Sequence, residues 1–151
     1  MSQGENRKPK RPSYRVSEAI AAPYRPPVKS IRGPDDVLEV CRAMARYRQE
    51  HFVALLLNAR HELDRKVVVS KGSLNASIVH PREVFLAAIK RSAASIILVH
   101  NHPSGDPEPS EEDLSITRRL VQVGDLVGIG VLDHVIIARR GIVSFKARQL
   151  L

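Results

Sequence analysis

Apolar positions along the chain follow two spacings, one typical of helices and one typical of buried strands. Helical spacing, with apolar residues three and four positions apart, marks residues 36–48, a stretch that begins at Pro81, and residues 110–123. Proline suits the first turn of a helix, and Ser110 followed three residues later by Asp113 is a helix-start pattern. The pattern therefore predicts three helices.

Short apolar runs lie between these segments and predict strands. The runs cover residues 51–57, 67–69, 96–99, 131–138 and 142–145. The segment Arg139-Arg140-Gly141 joins the last two runs and is typical of a hairpin. Because hairpin strands are mixed with helices, the expected fold class is α+β, a mixed α/β arrangement without Rossmann-like winding.

The start of the chain has a different composition from the rest. Residues 1–34 combine several prolines with charged and small residues, and such a composition buries too little apolar surface to offset the entropy of ordering. We therefore predict a disordered basic arm over residues 1–34 that is dispensable for folding. Residues 35–151 have the length of a single domain with one core.

The formal net charge of +8 points to nucleic acid as a partner, and its distribution narrows that interpretation. Eight basic and two acidic residues lie within residues 1–32, so the remaining 119 residues carry only +2. The charge thus belongs to the arm, and the domain offers no obvious phosphate-binding face. Nucleic acid remains an alternative partner for the arm.

Cysteine content and hydropathy limit the compartment and the chemistry. Cys41 is the only cysteine, which excludes an internal disulfide and cysteine-rich metal sites, and it lies on an apolar helix face. No apolar run approaches the roughly 20 residues that span a bilayer, so we expect a cytoplasmic protein without membrane contact. Signatures of phosphoryl transfer, dinucleotide binding and serine hydrolysis are missing.

The segment from His100 to Asp113 carries the candidate chemistry. Side chains alternate along a strand, so His100 and His102 project to the same side, and Pro103 keeps the second histidine extended. Asp113, in the first turn of the third helix, would supply a carboxylate. Two histidines and a carboxylate suit hydrolytic zinc, but iron(II) oxygenases use the same ligand types, so these residues alone leave the metal open.

The spacing of these residues resembles the JAMM motif of the JAB/MPN-domain metallopeptidases, in which His-x-His is followed by seven residues and then by Ser-x-x-Asp. The hexapeptide at residues 100–105, His-Asn-His-Pro-Ser-Gly, is similar to the RadC-like branch of that family. Further likeness lies at residues 72–75, 80–83 and 132–134. The resemblance covers roughly residues 35–147 and corresponds to a short form without the N-terminal helix-hairpin-helix region.

The resemblance implies a fold, a metal and a reaction. The fold is the JAB/MPN type, which is similar to that of cytidine deaminases. The metal is Zn²⁺, held by His100, His102 and Asp113. The reaction is hydrolysis of a peptide or isopeptide bond, and the substrate protein and the oligomeric state stay open.

The resemblance also assigns two catalytic residues. Glu50, directly before the first strand, would be the general acid/base, and Ser110 would help to hold the oxyanion of the tetrahedral intermediate. Glu83 is a rival acid whose place near a helix start is explained by capping. His80 and His134 are expected to be structural or to support a ligand, since three protein ligands complete a catalytic zinc site.

Two alternatives remain beside the hydrolase. One is a nucleic-acid-associated protein that uses the fold as a scaffold, suggested by the basic arm and by the DNA-repair label attached to the RadC-like family. The other is a domain that binds metal without turnover.

Overall fold

A mixed sheet with helices on both sides forms the domain, which a computed structural model describes over residues 29–72 and 79–151. Residues 1–28 and 73–78, which include most of the predicted arm and part of the predicted loop at residues 72–75, lie outside the described ranges. The elements are α1 (Pro34–Cys41), β1 (His51–Leu57), β2 (Leu63–Lys71), α2 (Pro81–Lys90), β3 (Ser95–Asn101), α3 (Glu111–Val127), β4 (Gly130–Ala138) and β5 (Gly141–Ser144).

The five strands form one sheet in the order β2-β1-β3-β4-β5. Each neighbouring pair is antiparallel except β3 and β4, which are parallel. A parallel pair needs a crossover, and α3 supplies it. The α+β fold class, the strand runs and the hairpin at residues 139–140 are confirmed.

Both faces of the sheet are buried, which explains the uninterrupted apolar runs of the central strands. In β1, Phe52, Ala54 and Leu56 pack with residues of α2 and α3 on one face. The alternate residues Val53, Leu55 and Leu57 pack with α1 on the other. β3 alternates in the same way, so Ile96, Leu98 and then His100 share the face covered by α2 and α3.

The first helix differs from its predicted bounds of 36–48. It begins at Pro34, whose missing N–H costs nothing at a first helical position, and ends at Cys41. A tighter 3₁₀ turn, Arg42–Arg46, follows. Asp36, expected to begin the helix, lies inside it and accepts a hydrogen bond from the Arg32 backbone N–H at 2.9 Å.

The predicted boundary of the arm at residue 34 is wrong for residues 29–34, which belong to the folded part of the chain. Ile31 is only 4% exposed and joins the core beneath α1. Its backbone N–H donates to the His61 carbonyl at 2.9 Å, and the Leu63 N–H donates to the Lys29 carbonyl at 2.9 Å. One apolar residue among charges gave no periodic signal, so the sequence did not reveal this docking.

Two further expectations concern the only cysteine and membrane-spanning segments. Cys41 is buried in the core, and burial raises the pKa of its thiol to about 11. Among the described residues, no helix combines the length and the apolar character needed to cross a membrane.

Candidate metal centre

The end of β3 brings two histidines to one edge of the sheet. His100 is fully buried in the strand, stacked on Phe52 with a ring separation of 6.0 Å. His102 lies just past the strand end, where its backbone N–H still donates to the Ile137 carbonyl of β4 at 3.0 Å. This hydrogen bond extends the parallel pairing by one residue and keeps both imidazoles on the same side.

The N-terminus of α3 brings the carboxylate. Ser110 caps the helix by accepting a hydrogen bond from the Asp113 N–H at 3.1 Å, and the Asp113 carboxylate accepts one from the Ser110 N–H at 2.7 Å. This reciprocal capping box fixes the Asp113 side chain, which is only 4% exposed. The predicted helix start and the predicted ligand are therefore compatible.

The three side chains converge on one point. The Nε2 atoms of His100 and His102 lie 2.9 Å apart. One carboxylate oxygen of Asp113, Oδ1, lies 3.1 Å from the Nε2 of His100. The other, Oδ2, lies 3.3 Å from the Nε2 of His102. Among the described residues these three form a group whose donor atoms could hold one metal ion, with all donors within 4.8 Å of one another.

The opposite nitrogen of each imidazole is engaged elsewhere. The Nδ1 of His102 lies 2.8 Å from the Asp106 carbonyl, and that of His100 lies 2.8 Å from the Nε2 of His134. A carbonyl oxygen can only accept, so the Nδ1 of His102 carries a proton, and the neutral form of the ring presents its lone pair at Nε2. That is the form in which an imidazole binds a metal.

The electrostatics of the group favour a carboxylate beside a cation. Burial alone would raise the pKa of Asp113, but hydrogen bonds from the imidazoles of His100 and His102 hold that pKa far below its usual value. Burial would lower the pKa of His102, yet the hydrogen bond to Asp113, the Asp106 carbonyl and the charge of Glu50 together raise it. The Asp113 carboxylate and the His102 imidazole therefore stabilise each other's charged forms.

Glu50 lies directly before β1, as predicted, is half-buried, and shares an open cleft with the candidate metal-binding group. The cleft holds about 260 Å³ and is lined by Glu50, His102, Pro103, Ser104, Ser110, Glu112 and Asp113. A larger, mostly apolar cavity of about 450 Å³ lies on the opposite side of the sheet, between α1 and β4, away from this group. Of these two cavities, only the smaller one is lined by residues of the candidate metal-binding group.

Asn101, which no motif in the sequence marks, holds the backbone on both sides of Glu50. Its buried side chain accepts a hydrogen bond from the His51 N–H at 2.8 Å and donates one to the Gln49 carbonyl at 3.1 Å. In the sequence, the only sign of this role is the position of Asn101 between the two candidate ligand histidines, on the other face of the strand. The partners lie 50 and 52 residues away, so the role depends on strand pairing.

The remaining candidates lie apart from the cleft or behind it. Glu83 is exposed on α2 beside Arg82 and does not line the cleft. His80 precedes α2 at its N-terminus. His134 of β4 is fully buried behind His100, and burial holds its pKa well below the usual value for histidine.

The fold and the site together place this chain in a class of mixed α+β domains with a possible metal site, formed by two histidines at the end of a core strand and an aspartate. The sequence matches the RadC-like JAB domain over residues 31–150. The chain belongs to this family, and the resemblance stated from its motifs is confirmed.

Curated relatives carry the same domain. A UPF0758 protein of Alkaliphilus metalliredigens is 55% identical over 122 residues, which are 80% of this chain and 53% of the relative. A UPF0758 protein of Halalkalibacterium halodurans is 57% identical over 119 residues, 78% of this chain and 51% of the relative. The chain thus spans about half the length of these relatives, whose names state no activity.

Proposed function

We propose that this domain is a zinc-dependent hydrolase of amide bonds, acting on a peptide or an isopeptide. The observation that carries the proposal is the convergence of His100, His102 and Asp113, each with a donor atom turned to the same point. The family supports it through the shared JAB domain. A cytoplasmic setting, without membrane contact, belongs to the same proposal.

The donor set fits zinc. Two imidazole nitrogens and one carboxylate are a donor set typical of catalytic zinc, and they would leave a further position for water or substrate. A zinc ion held by these residues would lower the pKa of a bound water molecule and polarise a carbonyl oxygen, which is the chemistry that amide hydrolysis needs.

Glu50 and Ser110 are the residues we assign to proton transfer and to oxyanion binding. Glu50 faces the same cleft as His102, and its charge contributes to the raised pKa of that histidine. A carboxylate there can accept the proton of the attacking water and return it to the leaving amine. The Ser110 Oγ accepts from the Asp113 N–H, so its own hydrogen remains available to donate to an oxyanion.

The test compares Glu50→Gln with Asp113→Asn. Glutamine keeps the size of Glu50 but cannot take a proton, so zinc content should stay near wild type while turnover falls by roughly 10²–10⁴-fold. Asparagine at position 113 weakens a ligand and should lower zinc occupancy as well. The measurements are zinc content by elemental analysis and cleavage of a panel of fluorogenic peptide and isopeptide substrates.

Glu83→Gln is the matched control, because that glutamate is the rival acid and lies on α2 outside the cleft. It should keep both zinc and turnover. Equal turnover of wild type and Glu50→Gln at equal zinc content would overturn the assignment of Glu50. Loss of activity in Glu83→Gln alone would transfer the role to that residue.

A nucleic-acid-associated scaffold is the second candidate, and the basic residues at the start of the chain favour it. Such binding would depend on those charges, weaken steeply with salt and disappear when residues 1–28 are removed. Salt-insensitive binding by the domain alone would favour nucleic acid recognition by the folded part. The remaining alternative is a domain that binds metal without catalysis. It predicts zinc in the purified protein and no cleavage of any substrate in the panel.

A further inference from the structure

A buried hydrogen-bonded chain connects the two halves of the candidate metal centre from behind. The Thr117 Oγ1 lies 2.6 Å from the Asp113 backbone carbonyl and 2.5 Å from the Nδ1 of His134. The Nε2 of His134 lies 2.8 Å from the Nδ1 of His100. The chain therefore begins at the backbone of one candidate ligand and ends at the ring of another.

The direction of each hydrogen bond in this chain follows from its first member. The Asp113 carbonyl can only accept, so the single hydroxyl hydrogen of Thr117 is directed to it. The Thr117 oxygen must then accept from the Nδ1–H of His134. A neutral imidazole has one N–H, so the Nε2 of His134 is left as an acceptor and receives the Nδ1–H of His100.

We propose that Thr117 and His134 are positioning residues that fix the tautomer of His100 with its Nε2 lone pair turned to the metal. The inference rests on the metal binding in the proposed function. Neither residue belongs to the group that could hold the ion. Both are fully buried, so neither hydrogen bond can be replaced by bulk water.

This hydrogen-bonded chain makes metal binding dependent on Thr117, which does not contact His100. A metal on Nε2 forces the proton of His100 onto Nδ1, and that proton needs an acceptor in a buried site. Thr117→Val removes the acceptor for the His134 Nδ1–H, so one buried N–H is unsatisfied in the metal-bound state. Without metal, both rings can shift to the other tautomer, so the cost falls on metal affinity.

The first test measures zinc affinity by competition with a chromophoric chelator. Thr117→Val should bind zinc about 10–100-fold more weakly than wild type, the usual cost of losing a partner behind a ligand. Thr117→Ser keeps the hydroxyl and should restore the affinity. His134→Gln, which can still offer an oxygen to the His100 Nδ1–H, should bind more tightly than His134→Leu.

The melting temperatures of the metal-free proteins separate positioning from stability. A structural role alone would lower the melting temperature of Thr117→Val and leave its zinc affinity equal to that of Thr117→Ser, and this result would overturn the inference. If wild type itself binds no zinc, the proposed function fails first. If wild type binds zinc and the variants bind it equally well, only the inference fails.

The second test needs no variant and therefore does not depend on the folding of one. Two-bond proton–nitrogen NMR correlations on the zinc-loaded wild type report which nitrogen of each imidazole carries the proton. We expect His134 protonated on Nδ1 with an unprotonated Nε2. A proton on its Nε2 would contradict the direction of the chain and overturn the inference.

Discussion

Asp113 illustrates how one residue can satisfy a structural and a chemical requirement together. Its carboxylate closes the capping box with Ser110 and also faces both imidazoles. Capping fixes the side chain before any ligand arrives, so little side-chain entropy is lost on metal binding. A carboxylate in the first turn of a helix is therefore already oriented for a metal ion. The Ser-x-x-Asp pattern can be a helix cap and part of a metal site at the same time.

Metal binding should release a proton from this site. The pKa of His102 is raised by Asp113, the Asp106 carbonyl and Glu50, although its burial acts in the opposite direction. A proton that sits on the ring below that pKa must leave before the lone pair can bind zinc. Zinc affinity should therefore keep rising with pH above about 6.5, the pKa of an ordinary histidine.

Isothermal titration calorimetry in two buffers with different ionisation enthalpies measures this release. Near pH 6 we expect about one proton released per zinc ion. His61→Asn, a change at an exposed histidine outside the site, is the control and should leave the number unchanged. Binding without proton release near pH 6 would contradict the raised pKa of His102.

The sequence predicted the three side chains that converge, but not the residues that contact them from behind. His100, His102 and Asp113 lie within fourteen positions, so strand alternation and a helix start are enough to bring them together. Asn101 of β3 donates a hydrogen bond to the Gln49 carbonyl, which lies just before β1 and 52 residues away. His134 of β4 contacts His100 of β3 at a separation of 34 residues. Such contacts depend on strand order and register, which a single sequence does not display.

At the scale of elements, apolar patterning predicted the buried strands better than the edge strand and the first helix. β1 and β3 are covered on both faces, so their runs of apolar residues match their bounds closely. β2 lies at the edge of the sheet and is mostly half-buried or exposed, so only residues 67–69 gave a signal within Leu63–Lys71. Polar side chains on an edge strand hide the alternation of apolar and polar residues that would otherwise predict it.

The end of α3 depends on a glycine for its close approach to β4. A Cβ on Gly124 would lie 2.6 Å from the Ile129 carbonyl oxygen and 3.4 Å from the Phe85 ring. Alanine favours a helix by about 1 kcal/mol over glycine, but a clash with backbone in a packed core costs more. Gly124→Ala should therefore lower the free energy of unfolding, by about 1–3 kcal/mol.

Urea unfolding followed by circular dichroism measures this change. Asp125→Ala is the matched control, because the neighbouring position is exposed and should change the free energy of unfolding by no more than about 0.5 kcal/mol. Stabilisation by Gly124→Ala would mean that the α3–β4 contact can relax. It would also remove the packing reason for glycine at this position.

At the scale of the whole molecule, the folded part begins before the predicted boundary. Ile31 is buried beneath α1, and Lys29 forms ion pairs with Asp36 and Glu39. A protein that starts at Lys29 should match the full chain in stability, because the composition of residues 1–28 offers little apolar surface. A protein that starts at Pro34 loses this docking and should be less stable by about 2–5 kcal/mol.

Urea unfolding of the two truncated proteins and of Ile31→Ala in the full chain tests the boundary. The point variant should reproduce most of the loss, because burial of one isoleucine supplies the larger part of the contact. Equal stability of both truncated proteins would show that residues 29–33 contribute nothing to folding. Equal stability of wild type and Ile31→Ala would shift the cause to the hydrogen bonds and ion pairs.

The zinc content of the purified protein tests the central claim most directly. Elemental analysis should find about one zinc ion per chain in wild type and in the surface control His61→Asn. The content should be lost or strongly reduced in His100→Ala and His102→Ala, because each removes one of the three converging donors. Unchanged zinc in both variants, or zinc lost equally in the control, would contradict a metal centre formed by these three residues.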